Sequence, residues 1–196
     1  MKTSYIVIGI IVLVLFFGGC GCVSSYNSIV KLDENAKSKW GTVQTDYQRR
    51  ADLIPNLVAT VKGVANFEKS TLVEVTEARA KATSIQVDPT KLTPETIQKY
   101  QAAQGQLSTA LGRLLVASEN YPQLKANENF TGLQAQLEGT ENRIAVSRRD
   151  FNDAVQQYNT SIKSFPTNIV AKFGSFTEKG YFQADPASAN APKVQF

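Results

Sequence analysis

Apolar residues recur at spacings of three and four along most of the chain after residue 25, and this spacing predicts long amphipathic helices. The first series keeps one phase and consists of Tyr26, Ile29, Val30, Ala36, Trp40, Val43, Tyr47, Ile54, Leu57, Val58, Val61, Val64, Leu72 and Val75. Pro55 falls inside it, removes one helical hydrogen bond and disfavours helical backbone at the preceding residue. Because the phase is kept, the pattern favours a kinked pair of helices sharing one face. A full reversal of the chain at Pro55 is the alternative.

A loop and a second apolar series follow. Residues 83–94 contain Asp88, Pro89 and Pro94, which indicate a loop. Thr93 is placed to cap a helix that has Pro94 at its first position. The apolar series of this helix is Ile97, Tyr100, Gln104, Leu107, Leu111, Leu114 and Ser118.

The last predicted helix, over about residues 128–164, has the most regular pattern. Its apolar residues recur every seven positions, as in the seam of a coiled coil. They are Phe130, Leu137, Ile144, Phe151, Tyr158 and Phe165, flanked by Leu133, Val155 and Ile162. Pro166 ends the helix. Residues 167–196 are richer in Gly, Pro, Ser and Asn and are predicted to form an extended tail that lies on the helices.

These segments predict an all-α fold. We expect an antiparallel, up-and-down bundle of long helices, four in number if Pro55 divides the first series. The chain then divides into an anchor over residues 1–23, a helical bundle domain over residues 24–166 and a tail over residues 167–196.

The apolar leader, residues 5–23, predicts attachment to a membrane. A helix of this length spans about 28 Å, close to the thickness of the hydrocarbon core. The leader is therefore interpreted first as an uncleaved transmembrane signal-anchor. A lipoprotein signal is the second interpretation, because Gly18 and Gly19 precede Cys20, which would carry the lipid after cleavage. A cleaved signal for simple secretion is the third.

Either tether places the body at a cell membrane. Lys2 lies beside the apolar run, whereas Lys31 lies eight residues beyond it. The positive-inside rule therefore favours a body outside the cytoplasm.

The composition of the chain excludes most catalytic mechanisms. The chain of 196 residues has no histidine, and both of its cysteines, Cys20 and Cys22, lie in the leader. Ser-His and Cys-His catalysis and histidine-ligated metal sites are thereby excluded. A net charge of +4 is too small to indicate nucleic-acid binding. No phosphate-binding or nucleophile-elbow motif is present, so neither an enzyme activity nor a cofactor is predicted.

Seven charged residues interrupt or border the apolar series: Arg49, Arg50, Asp52, Glu68, Arg79, Glu141 and Arg148. An unpaired charge in an apolar core costs several kcal/mol, so these residues predict ion pairs between helices. Glu141 is expected to pair with Arg79 or Arg50, and Glu68 with Arg148 or Arg50. The alternatives are exposed positions at the edge of the core, or a polar pocket for a ligand.

Several strings of residues resemble the LemA family. Residues 26–32, YNSIVKL, follow the leader as in that family, and residues 48–58, QRRADLIPNLV, give the most specific match. Phe67 departs from it, since the family commonly has histidine before the glutamate, and so does Phe151, where tyrosine is common. The resemblance implies a single membrane anchor and a bacterial bundle usually described as four helices. It implies no established enzymatic activity and brings no catalytic residues.

Together these observations predict a membrane-tethered scaffold or interaction protein. Its protein partner and its oligomeric state are not specified by the sequence. The alternative is a ligand-binding bundle with a polar pocket lined by Glu68, Arg79, Glu141 and Arg148.

Overall fold

A computed structural model of the chain describes residues 2–64 and 67–184, and for residues 2–20 it describes the backbone and, of the side chains, Leu13 alone. The helices are α1 (Lys2–Lys62), α2 (Lys69–Ser84), α3 (Pro94–Ser118), α4 (Pro122–Lys125), α5 (Glu128–Lys163) and α6 (Thr167–Phe173). No strand occurs in these ranges. The prediction of an all-α fold is therefore confirmed.

The first long helix does not divide at Pro55. Helix α1 continues through Pro55 as far as Lys62, with the proline exposed on its outer side. The chain reverses later, between Lys62 and Lys69. The prediction that Pro55 separates two helices is wrong, because one missing backbone donor does not end a helix whose opposite face is buried. The continuous face expected as far as Val75 is also wrong, since Val75 lies on α2 after the reversal.

Contacts between side chains give the direction of each pair of neighbouring helices. Lys39 contacts Asp150, and Arg50 contacts Glu141, so α1 and α5 run antiparallel. Glu74 contacts Arg113, and the Ala82 carbonyl accepts from Gln104 Nε2, so α2 and α3 also run antiparallel. The Phe67 N–H donates to the Val64 carbonyl just after α1, and Arg79 further along contacts Ala51, so α2 runs antiparallel to α1.

Among the residues whose side chains are described, three clusters of buried side chains form the core. The central cluster surrounds Trp40. A second, around Leu57 and Leu114, lies at the end of the body where α1 stops. A third, with Ile29 and Tyr158, lies at the end nearest the leader. Every member of the α3 series is buried, as its spacing predicted.

The end of α5 differs from its predicted pattern. The first five members of the seven-residue series are buried, but Phe165 is 81% exposed. Helix α5 ends at Lys163, so Phe165 lies beyond it and leaves the seam. The helix begins as a regular N-terminus should, with the Asn127 side chain accepting from the Asn129 and Phe130 backbone N–H groups.

Part of the predicted tail is helical. Residues 167–173 form α6, whose Ala171 is buried against α1 and α5. Residues 177–184, called the tail strap from here on, form no helix and bond to α3 and α5 through hydrogen bonds described below. Residues 185–196 lie outside the described part of the chain.

The predicted anchor falls largely outside the described side chains. Among those that are described, no helix presents a stretch both long and apolar enough to cross a membrane. Most of residues 5–23, including the Cys20 side chain, lie outside that set.

Candidate functional site

A buried arginine links three helices at the centre of the body. Arg50 of α1 is 1% exposed. Its Nη1 donates to Ser108 Oγ at 2.7 Å and to Glu141 Oε1, and its Nη2 donates to Gln104 Oε1 at 2.8 Å. The guanidinium thereby joins α1 to α3 and α5. This contact confirms the predicted pairing of Arg50 with Glu141.

The Arg50 cluster, which consists of Arg50, Gln104, Ser108 and Glu141, is unequally exposed to solvent. Glu141 is about half exposed and reaches inward from the surface, whereas the guanidinium is removed from water. The Arg50 carbon Cζ lies 5.0 Å from the centre of the Tyr47 ring, and burial raises the pKa of that tyrosine. The Arg50 Nε atom has no hydrogen-bond partner among the described residues. Loss of the ion pair would therefore leave Arg50 buried without a counter-charge, whereas Glu141 would still face solvent.

Arg79 serves the backbone of α1. Its Nε donates to the carbonyl oxygen of Ala51 at 2.8 Å. Ala51 lies four residues before Pro55, so its carbonyl is the one that lacks a helical donor because proline has no N–H. Arg79 therefore replaces the hydrogen bond that Pro55 removes, which explains how α1 tolerates the proline.

Glu68 does not reach the arginines predicted as its partners. It is exposed at the start of α2 and accepts from Ser70 Oγ at 2.8 Å. The predicted pairing of Glu68 with Arg148 or Arg50 is wrong. The chain reversal before α2 places Glu68 at the end of the body, whereas Arg50 and Arg148 lie near its middle.

Arg49 and Asp52 lie on the outer side of α1. Both line an open groove of about 890 Å³ between α1 and the loop after α2, where Asp52 accepts from Gln48 Nε2 at 2.7 Å. Glu141 and Arg148 instead line a cavity of about 330 Å³ beside Arg50. The four residues of the predicted ligand pocket therefore do not line one common cavity, because Glu68 and Arg79 lie elsewhere.

The tail strap is held by side-chain amides. Asn159 donates to the Lys179 carbonyl and accepts from the Lys179 N–H, both at 2.9 Å. Asn152 makes the same two bonds with Phe182, also at 2.9 Å. Seven helical residues rise about 10.5 Å, and three residues reach about as far only when nearly extended. The spacing of the two asparagines along α5 therefore matches an extended strap.

The strap is tied to α3 as well. Gln101 donates to the Gln183 carbonyl at 2.8 Å and accepts from its N–H at 3.0 Å. The Gly180 N–H donates to the Leu92 carbonyl at 2.8 Å. At Gly180 the backbone comes so close to α3 that an added Cβ would lie 2.6 Å from the Pro94 Cα. Only glycine fits there without displacing the strap.

A buried lysine fixes the strap to α1. Lys179 is 6% exposed, and its Nζ lies 2.8 Å from Asp33 Oδ1 and 4.8 Å from the centre of the Tyr158 ring. Burial alone would raise the pKa of Asp33, but hydrogen bonds from Lys179 and Lys37 outweigh it and lower that pKa below its ordinary value. Asp33 therefore remains a carboxylate and neutralises the buried ammonium.

An aromatic residue of the strap completes the central core. The Phe182 ring lies 5.9 Å from Trp40 and 5.6 Å from Phe151, measured between ring centres. The Arg148 guanidinium covers its outer side at 4.8 Å, and Arg148 Nη2 donates to the Gln183 carbonyl at 3.0 Å. Arg148, predicted to form an ion pair or line a pocket, therefore holds the strap.

Sequence reasoning missed Asn152, Asn159 and Gln101. The signal that could have found the asparagines is their seven-residue spacing beside the apolar seam of α5. Each follows directly after a seam residue, Phe151 or Tyr158, where an exposed and charged residue would be ordinary. A pair of asparagines at that spacing indicates a bound main chain, because one amide offers both a donor and an acceptor.

Comparison with known proteins bears on this arrangement. The sequence model of the LemA family matches residues 39–196. Magnetosome protein MamQ 2 of Paramagnetospirillum magneticum is 28% identical over 179 residues, which cover 83% of this chain and 66% of that protein. Magnetosome protein MamQ of Magnetospirillum gryphiswaldense is 27% identical with the same coverage. Protein LemA of Metamycoplasma hominis is 26% identical over 162 residues, covering 83% of this chain and 70% of that protein.

The chain spans just under two thirds of the length of the magnetosome relatives that it matches. The family match begins within α1 and includes the Arg50 cluster, the Arg79 contact and the tail strap. Because this match covers well over half of the sequence, the chain belongs to the LemA family.

Proposed function

We propose that this chain is a membrane-tethered scaffold or interaction protein without catalytic activity, built as an antiparallel up-and-down bundle of α1, α2, α3 and α5. The antiparallel contacts between α1 and α5 and between α2 and α3 support the bundle. The tether is the apolar leader, either as a transmembrane segment or as a lipoprotein signal ending at Cys20. The body lies outside the cytoplasm, as the position of Lys2 favours.

The observation that carries this proposal is the continuity of α1. One helix runs from Lys2 to Lys62, so the apolar leader and the first core residue, Ile29, belong to the same rod. A helix without a break fixes the distance between its ends, at about 1.5 Å per residue. A leader held in a membrane would therefore hold the body at a set height above it, which suits a scaffold.

The contacts of the polar residues support an interaction role rather than a ligand-binding role. Arg50, Arg79 and Arg148 each donate hydrogen bonds that hold elements of the fold together. The cavity lined by Glu141 and Arg148 is not lined by Glu68 or Arg79.

Flotation tests the tether. We expect the full chain to float with membranes on a sucrose gradient and to resist extraction by alkaline carbonate. The same chain begun at residue 24 should remain in the soluble fraction. Recovery of the full chain in the soluble fraction would contradict the tether.

Crosslinking tests the scaffold role. A photo-crosslinking residue at the exposed Arg49, beside the open groove, should give a discrete adduct in intact cells. The same residue at the exposed Val146 on α5 is the matched control. A chain that gives no adduct at either position and is a monodisperse monomer in detergent would contradict a scaffold role.

A further inference from the structure

The end of the body nearest the leader exposes a set of large apolar side chains. Phe173 is 88% exposed, Phe165 is 81% exposed and Ile169 is 48% exposed. On α1, Val23 is 62% exposed and Tyr26 is 46% exposed. We call these five residues the end patch. Exposed apolar groups gathered at one place mark a surface that meets another apolar phase.

Contacts with α1 place this patch beside the leader. The inner side of α6, Ala171 with Val170, packs in the core cluster that contains Ile29. Next to α6, the Tyr26 ring lies 5.5 Å from the Phe176 ring, and a Cβ added at Gly174 would lie 3.3 Å from Tyr26. The opposite side of α6, with Ile169 and Phe173, is the exposed one. Helix α6 is therefore held at the level of the first body residues of α1.

Tyr26, a member of the patch, lies at the height of the interfacial layer of a bilayer. The leader ends at Val23, and Tyr26 lies three residues further along the same helix, a rise of about 4.5 Å. The polar layer on each side of the hydrocarbon core is about 5–8 Å thick. Aromatic residues are enriched at this depth in membrane proteins.

From this placement we infer that α6 and the end patch form a second membrane contact, which inserts Phe165, Ile169 and Phe173 into the lipid interface beside the leader. The inference rests on the proposed tether. The end patch contacts a phospholipid surface, because it adjoins the apolar leader, which ends at the same height. The exposed Lys172 on α6 suits the headgroups of anionic lipids.

The second contact has a mechanical consequence. A body attached only through one helix can rotate about that helix and tilt with it. Contact of α6 with lipid at the side of α1 fixes the rotation, so that a single face of the body is turned away from the membrane. This would orient the scaffold as well as tether it.

Tryptophan quenching by brominated lipids tests the inference in the full chain. The chain has one tryptophan, Trp40, which is fully buried and serves as an unquenched reference. Phe173→Trp is reconstituted in vesicles of phosphatidylethanolamine and phosphatidylglycerol, with and without bromine in the upper acyl chain. Val116→Trp is the matched control, because Val116 is 67% exposed near the opposite end of the body.

We expect the emission of Phe173→Trp to shift to shorter wavelength in vesicles and to be quenched by bromine, while Val116→Trp behaves as in water. If both variants float with the vesicles and quenching at position 173 does not exceed that at position 116, the second contact is disproved and the tether stands. If neither variant floats with the vesicles, the tether fails and the second contact fails with it.

Discussion

At the scale of single residues, three arginines donate hydrogen bonds that link elements of the fold, and each does so in a different way. Arg50 binds side chains of α3 and α5, Arg79 binds a carbonyl of α1, and Arg148 binds the tail strap. The planar guanidinium suits all three tasks because its donors are fixed in a fork. Three of the charges that interrupt or border the apolar series therefore hold elements of the fold together, whereas Glu68, Arg49 and Asp52 remain at the surface.

Loss of Glu141 should destabilise the Arg50 cluster. Glu141→Ala leaves a buried guanidinium without its counter-ion, while Ser108 and Gln104 still accept from it. We expect the free energy of unfolding to fall by about 2 kcal/mol, since bonds to charged groups are worth roughly 1.5–3 kcal/mol. Urea midpoints of the full chain in detergent measure this. The control is Glu138→Ala, an exposed position one turn away, and an equal loss in both variants would contradict the structural role.

Arg79 and Pro55 should be energetically coupled. With Pro55 present, Arg79→Ala leaves the Ala51 carbonyl without a donor and should cost about 1–2 kcal/mol. In the Pro55→Ala background the N–H of residue 55 can satisfy that carbonyl, so the same substitution should cost less. A double-mutant cycle by urea unfolding measures the difference. Equal costs in the two backgrounds would show that Arg79 does not compensate for the proline.

Acid should release the tail strap through Asp33. The pKa of Asp33 is lowered in the folded protein, so its contribution is fully present above its ordinary value of 3.8 and is lost as the pH falls through the lowered pKa. Protonation then leaves Lys179 buried without a counter-ion. Trp40, stacked on Phe182, reports release of the strap as a red shift of its emission.

The matched variant for this titration is Asp33→Asn, which removes the titrating group and keeps the shape. We expect its emission at neutral pH to resemble that of the acid-released parent, with no further transition below pH 3.8 from this site. An unchanged acid transition in Asp33→Asn would assign that transition to other carboxylates.

At the scale of helices and segments, the apolar spacing predicted what is buried far better than where the chain turns. The α3 series and the first five positions of the α5 seam are buried as predicted, because burial follows directly from helical periodicity. The turn after Lys62 was missed, since a series that keeps its phase does not reveal whether the second part has folded back. Pro55 suggested that the helix ends there. The helix continues because Arg79 supplies the hydrogen bond to Ala51 that the proline cannot make.

The strap was the least predictable element for a physical reason. It is held by main-chain hydrogen bonds to Asn152, Asn159 and Gln101, and such bonds leave no apolar period in the strap itself. The strap side chains that are anchored, those of Phe182, Lys179 and Glu178, show no regular spacing. The pairing of Arg50 with Glu141 was predictable because each interrupts or borders a buried face, whereas the position of Glu68 depended on the missed turn.

Gly180 should control whether the strap can dock. In Gly180→Ala the new methyl group meets the Pro94 backbone, which cannot move aside because it starts α3. We expect faster hydrogen exchange at the amides of residues 179–183 and a red shift of Trp40 emission, with exchange in α2 unchanged. Gly132→Ala on α5 is the control, since its added Cβ meets no atom within 4 Å. Unchanged protection in Gly180→Ala would contradict the close approach.

At the scale of the whole molecule, one helix joins the apolar leader to all three core clusters. Helix α1 contributes Ile29 to the leader-end cluster, Trp40 to the central cluster and Leu57 to the far cluster. A rod that enters all three clusters transmits the position of the leader to the whole body. The proposed membrane tether and the proposed lipid contact of α6 both depend on this continuity.

The most direct test of the tether is the intact mass of the chain recovered from carbonate-washed membranes. A tether through an uncleaved leader predicts a mass of about 21.4 kDa in that fraction. A smaller mass with added lipid would show acylation at Cys20, which keeps the tether and replaces the transmembrane segment. A chain found only in the soluble fraction, with the leader removed, would contradict membrane tethering altogether.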